Sequence, residues 1–291
     1  MHLLGIFFII IVNYNVENLF HPAHDSLKED YEWTAEGERH WSYTRYYRKV
    51  ENIARVLTNI GEWEGVDVVG LQEVENALCV KRLCYTLRRS EYDFVHYESP
   101  DRRGIDVALI YKKSKVDTIR TRAIRVDLGE QTTRDILYVC ARVEKDTVHF
   151  LVCHLPSQRG GKAESEWKRT RAKQVLQQAV DSVFRVDAEA KIVVMGDMNE
   201  DGRMDEQIRG LADMRMSGEG THKYHGRWTF LDHFLVSPAL DSLSQARVYN
   251  AEWIMETDEK YLGVKPKRTY NGFIYQNGFS DHLPIILHIG L

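Results

Sequence analysis

Apolar residues along the chain gather into short dense runs, separated by polar or helical stretches. The runs occupy 5–12, 66–71, 105–111, 136–140, 148–153, 192–195, 231–236 and 283–289. Runs of this length with polar punctuation between them predict core strands. A different period appears at 41–59, 75–89 and 163–184. In the first, Trp41, Val50, Ile53, Ala54 and Leu57 share a face; in the last, Trp167, Ala172, Val175, Leu176, Ala179 and Val180 do so. Spacings of three and four, with charges on the opposite side, predict amphipathic helices. Strands and helices mix without an internal repeat or a low-complexity linker. The pattern therefore predicts a layered α/β (α+β) fold as one domain over 1–291. Within 110–150 the strands are joined by short turns, so antiparallel hairpins are expected there rather than crossovers.

The run from Leu3 to Val12 deserves a separate reading. It is too short for a membrane span, which needs about 20 apolar residues. Its length suits a secretory signal core, but no Lys or Arg precedes it and no small-residue cleavage site follows. Ile9 to Val12 are consecutive β-branched residues, which favours a strand buried on both faces. The expectation is a soluble protein with no transmembrane segment, its compartment open and the cytoplasm favoured over export.

Composition narrows the classes further. The 291 residues would suggest two domains at about 150 residues each, but only as a prior. Hydrophobic content of 43% and charged content of 28% exclude a disordered, collagenous or coiled-coil chain. With 39 basic and 43 acidic side chains the net charge is −4, which excludes a generally basic nucleic-acid coat and leaves room for a local basic cleft. The four cysteines, Cys79, Cys84, Cys140 and Cys153, form no C-x-x-C pair. They are expected to be buried or free thiols, with no zinc or disulfide role.

The chemistry lies where the runs end. Asn15 and Glu17 follow the first, Gln72 and Glu73 the second, and Arg102, Arg103 and Asp106 flank the third. His154 closes the fifth, Asp197 and Asn199 the sixth, Asp232 lies in the seventh, and Asp281-His282 precedes the last. Taken alone, a Gly-Asp-x-Asn is often just a turn, and a Glu after a strand is often a solvated rim residue. Together, Asn, Glu, His, Asp-x-Asn, Asp and Asp-His recur in a fixed order across most of the chain.

That ordered set, in NYNVENLF, VVGLQEVEN, GIDVALIYK, LVCHLPSQRGG, VVMGDMNED, LDHFLVS and GFSDHLPI, resembles the endonuclease/exonuclease/phosphatase superfamily of deoxyribonuclease I-like phosphoesterases. The resemblance spans residues 13 to 287. It implies a four-layer sandwich, two packed mixed β-sheets flanked by helices, with the site at one rim. It also implies a divalent cation, Mg²⁺ or Mn²⁺, held by Glu73 with Asn15 and Asp281, and with Glu17 as a weaker addition. Hard carboxylate oxygens suit such an ion. By the same resemblance His282, oriented by Asp232, contacts the phosphate or acts as a base. Asp197 and Asn199 position the water and a phosphate oxygen, and His154 donates to the phosphoryl or leaving-group oxygen. Asp106 is a candidate partner for His154.

For substrate phosphate, Arg159 in the Gly-Gly loop, Arg103 and Lys267 are the candidate contacts. Tyr224, Trp228, Tyr270 and Phe273 lie in loops near the expected site, where packing is the first reading and ring stacking the second. The expected activity is a nuclease-type phosphodiesterase, with nucleic acid as the favoured substrate. The alternatives are a phosphatase or phospholipid phosphodiesterase of the same superfamily, or an inactive member that serves as a binding module. No exposed hydrophobic hairpin is evident, which speaks against a membrane lipid. No obligate protein partner is evident.

Overall fold

The structure, a computed structural model, describes residues 8–88, 91–158 and 161–291. Two six-stranded sheets form its centre. The first carries β1 (Phe8–Leu19), β2 (Val68–Val74), β3 (Tyr92–His96), β4 (Asp106–Lys112), β13 (Ser244–Val248) and β18 (Ile285–Gly290), in the order β13-β18-β1-β2-β4-β3. The second carries β5 (Val116–Ile124), β6 (Ile136–Val143), β7 (Asp146–His154), β8 (Lys191–Asp197), β9 (Ala212–Asp213) and β12 (Asp232–Val236), in the order β5-β6-β7-β8-β12-β9. Both sheets are mixed: β1 runs parallel to β2 and β7 parallel to β8, while the other pairings are antiparallel. The Leu3–Val12 run contributes an interior strand from Phe8 onward; its earlier residues lie outside the described ones.

Three longer helices complete four layers. Helix α1 (Tyr43–Gly61) starts where the Ser42 hydroxyl accepts the Arg45 N–H, and α2 (Ala77–Arg88) packs beside it. Val50, Ile53 and Leu57 of α1, with Val80 and Leu83 of α2, cover Val69 and Leu71 of the first sheet. Helix α3 (Lys162–Phe184) covers the second sheet, where Ala172, Leu176 and Val180 meet Leu151, Ile192 and Val194. A single short turn of helix, α4 (Pro238–Asp241), follows β12. Between the sheets lie Ile9, Ile11, Val68, Val107, Leu109, Phe150, Val152, Val193, Met195 and Phe234. Each large side chain buried there contributes about 1.5–3 kcal/mol. Gly70 allows the sheets to close on each other, because a Cβ there would stand 2.5 Å from Met195 Sδ.

Strand alternation explains where the polar residues go. On β1, Ile9 and Ile11 face the other sheet, whereas Val12, Tyr14 and Val16 face the helices. Asn13 and Asn15 continue the inward row. On β7, Val148, Phe150 and Val152 face inward and His154 follows; on β8, Val193 and Met195 precede Asp197; on β12, Asp232 precedes Phe234. Several inward rows thus turn from apolar to polar at the same end of the sandwich. Parallel pairing of β1 with β2 and of β7 with β8 brings those ends together.

The apolar runs did not reveal the edge strands. Strand β5 shows only Val116 buried in its pattern, and β13 is half-solvated throughout. Small hairpins also appear: β10 (His222–Tyr224) with β11 (Arg227–Thr229), β14 (Met255–Thr257) with β15 (Val264–Pro266), and β16 (Tyr270–Asn271) with β17 (Ile274–Tyr275). The last corrects one expectation, since its tip exposes Phe273 and Ile274. Two apolar residues are too short a run to register in the sequence pattern. All four cysteines are buried free thiols. No helix among the described residues is long and apolar enough to cross a membrane.

Candidate active site

At the polar end of the sandwich, Asp197 is the point of convergence. Asn15 Nδ2 donates to its Oδ2 at 3.0 Å across the two sheets. His154 Nε2 lies 3.5 Å and His282 Nε2 3.8 Å from that same oxygen. The other oxygen accepts the Asn199 N–H at 2.8 Å, closing a turn in which Asn199 takes φ 51. Asp232 Oδ2 stands 2.8 Å from His282 Nδ1. Asp197, Asp232, His154 and His282 are all buried.

Burial shapes the charge states. It pushes the Asp197 carboxyl up to about 7, with the His282 ring opposing and Asp232 adding to the rise. Burial alone would lower the His282 imidazole, but Asp232 and Asp197 hold it well above the ordinary histidine value. Flanked by carboxylates, the His282 ring holds its proton more tightly than an ordinary histidine. Its neighbour His222 is the reverse case, lowered by burial and by the His282 charge to about 4.

A second carboxylate group lies beside the first. Glu73 occupies a bulge in β2, where the register shifts between Gln72 and Val74 and its own φ is 64. Bulges re-aim a side chain at a strand end, and here Glu73 Oε2 accepts the Asn18 N–H at 2.9 Å while Oε1 lies 4.0 Å from His154 Nε2. Asp281 Oδ2 accepts from Arg268 Nη2 at 2.7 Å. Glu17 accepts from the Thr269 N–H at 2.7 Å and from Arg268 Nε at 3.4 Å, with the buried Lys49 ammonium 3.9 Å away. Lys49 also donates to Thr269 Oγ1 and the Phe279 carbonyl, both at 2.5 Å. Burial would raise Asp281, but Arg268 and the nearby histidines bring it to about 2. Burial and Asp281 push Glu17 up to about 7 in spite of Lys49 and Arg268.

This charge distribution tests the fit of a divalent cation. Two built-in cations leave the carboxylates of this corner still repelling one another, and the donors are hard oxygens of Glu73 and Asp281. In donor chemistry Glu73 and Asp281 fit a hard ion such as Mg²⁺, with Asp281 also held by Arg268 at 2.7 Å. Asn15 is committed elsewhere, since its Oδ1 accepts the Glu17 N–H and its amide reaches Asp197. Glu17 is likewise engaged by the 268–269 segment.

Other expected residues fall outside this cluster. Asp106 does not pair with His154: its Oδ2 lies 3.2 Å from His96 Nε2 and its Oδ1 accepts the Ser99 N–H. It shares strand parity with Ala108 and Ile110, which face the helices, whereas His154 faces the other sheet. With His96 and Glu98 it forms a separate cluster whose ligand atoms lie within 4.8 Å of one another. Arg103 Nε stands 3.8 Å from Asp101, and Lys267 is half-buried in the loop whose Arg268 turns inward instead. Asn199 spends its amide on the Leu155 carbonyl. Arg159 lies outside the described residues.

Lys49, His222 and Ser280 are not singled out by the sequence, and Arg268 is marked there only as part of the Lys265–Arg268 stretch that could line the cleft. Ser280 Oγ donates to the Asn15 carbonyl and accepts the His282 N–H, tying the two ends of the chain at the site. Lys49 had a usable signal, because it lies on the α1 stripe with Tyr46, Val50 and Ile53.

A sequence profile described as Endonuclease/Exonuclease/phosphatase family matches residues 10–290. The chain belongs to the endonuclease/exonuclease/phosphatase family. Its fold is the deoxyribonuclease I-like sandwich of that family, and it is a phosphoesterase hydrolase of a family whose enzymes depend on divalent metals. TDP2 from C. elegans superposes with a TM-score of 0.64 at 16% identity, covering 98% of this chain and 76% of that one. An endonuclease/exonuclease/phosphatase family protein from Bacteroides thetaiotaomicron gives 0.65 at 15% identity, covering 99% and 96%. The mannosyl-6-phosphatase Bt3783 from the same organism gives 0.60 at 16% identity, covering 96% and 98%. No curated protein matches the chain. Identities this low carry the shared fold and leave the substrate to be argued from the site.

Proposed function

We propose that this family member is a divalent-metal-dependent phosphodiesterase of nuclease type. The observation that carries the reading is the convergence of His154 and His282 on one Asp197 oxygen, with Asp232 holding His282 from behind. A carboxylate raised to about 7 is suited to take a proton from an attacking water near neutral pH. The His282 ring and the His154 Nε2 edge are placed to bind phosphoryl oxygens, where charge accumulates as the bond breaks. Asn15 fixes Asp197 from the opposite sheet, and Asn199 fixes it from its own turn. Glu73 and Asp281 would hold the metal ion, which would supply charge neutralisation and polarise the phosphoryl group.

Arg268 supplies the anion attraction that a net-acidic chain needs locally. Its guanidinium is anchored by Glu17 and Asp281, and part of it stays exposed at the rim. Parallel assays on single-stranded DNA, plasmid, RNA, sphingomyelin and sugar phosphates, with and without Mg²⁺, test the reading. Metal-dependent cleavage of a nucleic acid supports it. Hydrolysis confined to sugar phosphates or to sphingomyelin overturns the nuclease assignment in favour of a phosphatase or a lipid phosphodiesterase.

A further inference from the structure

One wall of the site is built of aromatic rings that begin at the catalytic histidine. The His222 ring lies 4.8 Å from that of His282, and Tyr224 lies 6.5 Å beyond His222 with the two planes only 18° apart. His225 stacks on Tyr224 at 4.1 Å and 11°, and Tyr261 lies 5.6 Å from His225. Local geometry fixes this order. His222 and Tyr224 are two residues apart on β10, so their side chains share a face. His225 (φ 48) and Gly226 (φ 81) form the two-residue turn into β11, both with positive φ as such a hairpin requires.

The wall is a constructed element rather than a loose loop. Lys223, on the opposite face of β10, is half-buried and donates to the carbonyls of Leu262 and Val264, with Asp258 at 3.1 Å. That clamps the segment carrying Tyr261 against the hairpin. The Leu283 N–H donates to the Thr221 carbonyl at 2.7 Å, and His222 bridges to His282 through the backbone. Hairpin and catalytic histidine therefore share one backbone frame. Tyr224 nonetheless remains 64% exposed.

We propose that the near-parallel rings of His222 and the exposed Tyr224 form a stacking slot for an unpaired nucleobase on the nucleotide at the scissile phosphate. The two ring planes are 18° from parallel with centroids 6.5 Å apart, about twice the 3.4 Å spacing of successive nucleotides along a strand, a separation compatible with one planar ring seated against both. Their place beside His282 puts the slot next to the reacting centre. Aromatic stacking tolerates any base and needs no basic groove, which agrees with a chain of net charge −4. A duplex hides its base faces, so the slot selects single strands or frayed ends. The proposal rests on the phosphodiesterase reading for the site.

The test uses a short single-stranded DNA carrying terminal 2-aminopurine, whose fluorescence falls on stacking, titrated with the full chain in EDTA so that binding is read without turnover. The expected result is saturable quenching by the native chain, affinity about tenfold weaker in Tyr224→Ala, and recovery in Tyr224→Phe. Tenfold corresponds to about 1.4 kcal/mol, within the range for loss of one base–aromatic stack. A matched strand with an abasic terminus should bind the native chain as weakly as the intact strand binds Tyr224→Ala. Equal binding of intact and abasic strands by both proteins overturns the slot, as does an absence of quenching. Hydrolysis of bis(p-nitrophenyl) phosphate, assayed in parallel, separates the two failures. An active enzyme without base discrimination refutes the slot alone, whereas base stacking without hydrolysis supports the slot and refutes the catalytic reading.

Discussion

Asp232 Oδ2 lies 2.8 Å from His282 Nδ1, and this contact turns the other ring nitrogen toward Asp197, 3.8 Å away. The pair joins a strand of the second sheet to the segment entering the last strand of the first. Replacing Asp232 by Asn keeps the shape but removes the charge that holds the imidazolium. In Asp232→Asn, kcat is expected to fall about 10²–10³-fold with little change in KM, the loss typical of removing a group that stabilises developing charge. Steady-state hydrolysis of bis(p-nitrophenyl) phosphate checks this, and an unchanged kcat removes His282 from the chemistry.

Lys49 is a buried ammonium facing the Glu17 carboxylate at 3.9 Å. Removing one member of a buried pair costs about 3–5 kcal/mol, because the other charge is left without compensation. Urea unfolding of metal-free Lys49→Met should show a loss of that order. Adding Glu17→Gln to it should recover part of the loss. Strictly additive losses would mean that the two groups do not interact.

His233 offers a pH test away from the metal corner. Burial acts to lower its pKa, but Asp213, 3.2 Å from Nδ1, holds it above the ordinary 6.5. The folded state therefore binds this proton more tightly than the unfolded chain does. Its stabilisation is fully present below pH 6.5 and is lost as pH rises through the higher folded value. His233→Gln should flatten that part of the stability–pH curve, measured by thermal unfolding. A curve parallel to that of the native chain would contradict the assignment.

Gly196 of β8 pairs with Cys153 of β7, and a Cβ there would stand 2.0 Å from the Cys153 carbonyl oxygen. Backbone is on the other side of the clash, so neither partner can rotate away. Gly196→Ala is expected to destabilise the fold by about 1–3 kcal/mol or more. It should also lower activity by displacing Asp197. An unfolding midpoint equal to that of the native chain would show that the strands can part without cost.

Much of this site was legible because a strand and its polar terminus are contiguous in sequence. The apolar runs before Asn15, Glu73, His154 and Asp197 mark both the strand and the polar end of the sandwich. Asp106 was misassigned because alternation gives two faces, and only the packing of the sheets shows which one meets His154. Arg268 was overshadowed by its neighbours: the loop has no periodicity to show that Arg268 rather than Lys267 turns inward. The β10–β11 hairpin lay in a polar stretch whose rings align only once the strands pair. Lys49 was within reach, since a lysine on an apolar helical stripe is an anomaly that asks for a buried partner.

The proposed chemistry depends on a divalent ion held by Glu73 and Asp281. The direct measurement is the rate of bis(p-nitrophenyl) phosphate hydrolysis by the native chain in Mg²⁺ or Mn²⁺, after EDTA, after metal is restored, and in Glu73→Ala. Hydrolysis is expected to be abolished by EDTA and restored by added metal, with a loss of about 100-fold or more in Glu73→Ala. Hydrolysis that persists undiminished in EDTA, or in Glu73→Ala, would contradict that dependence.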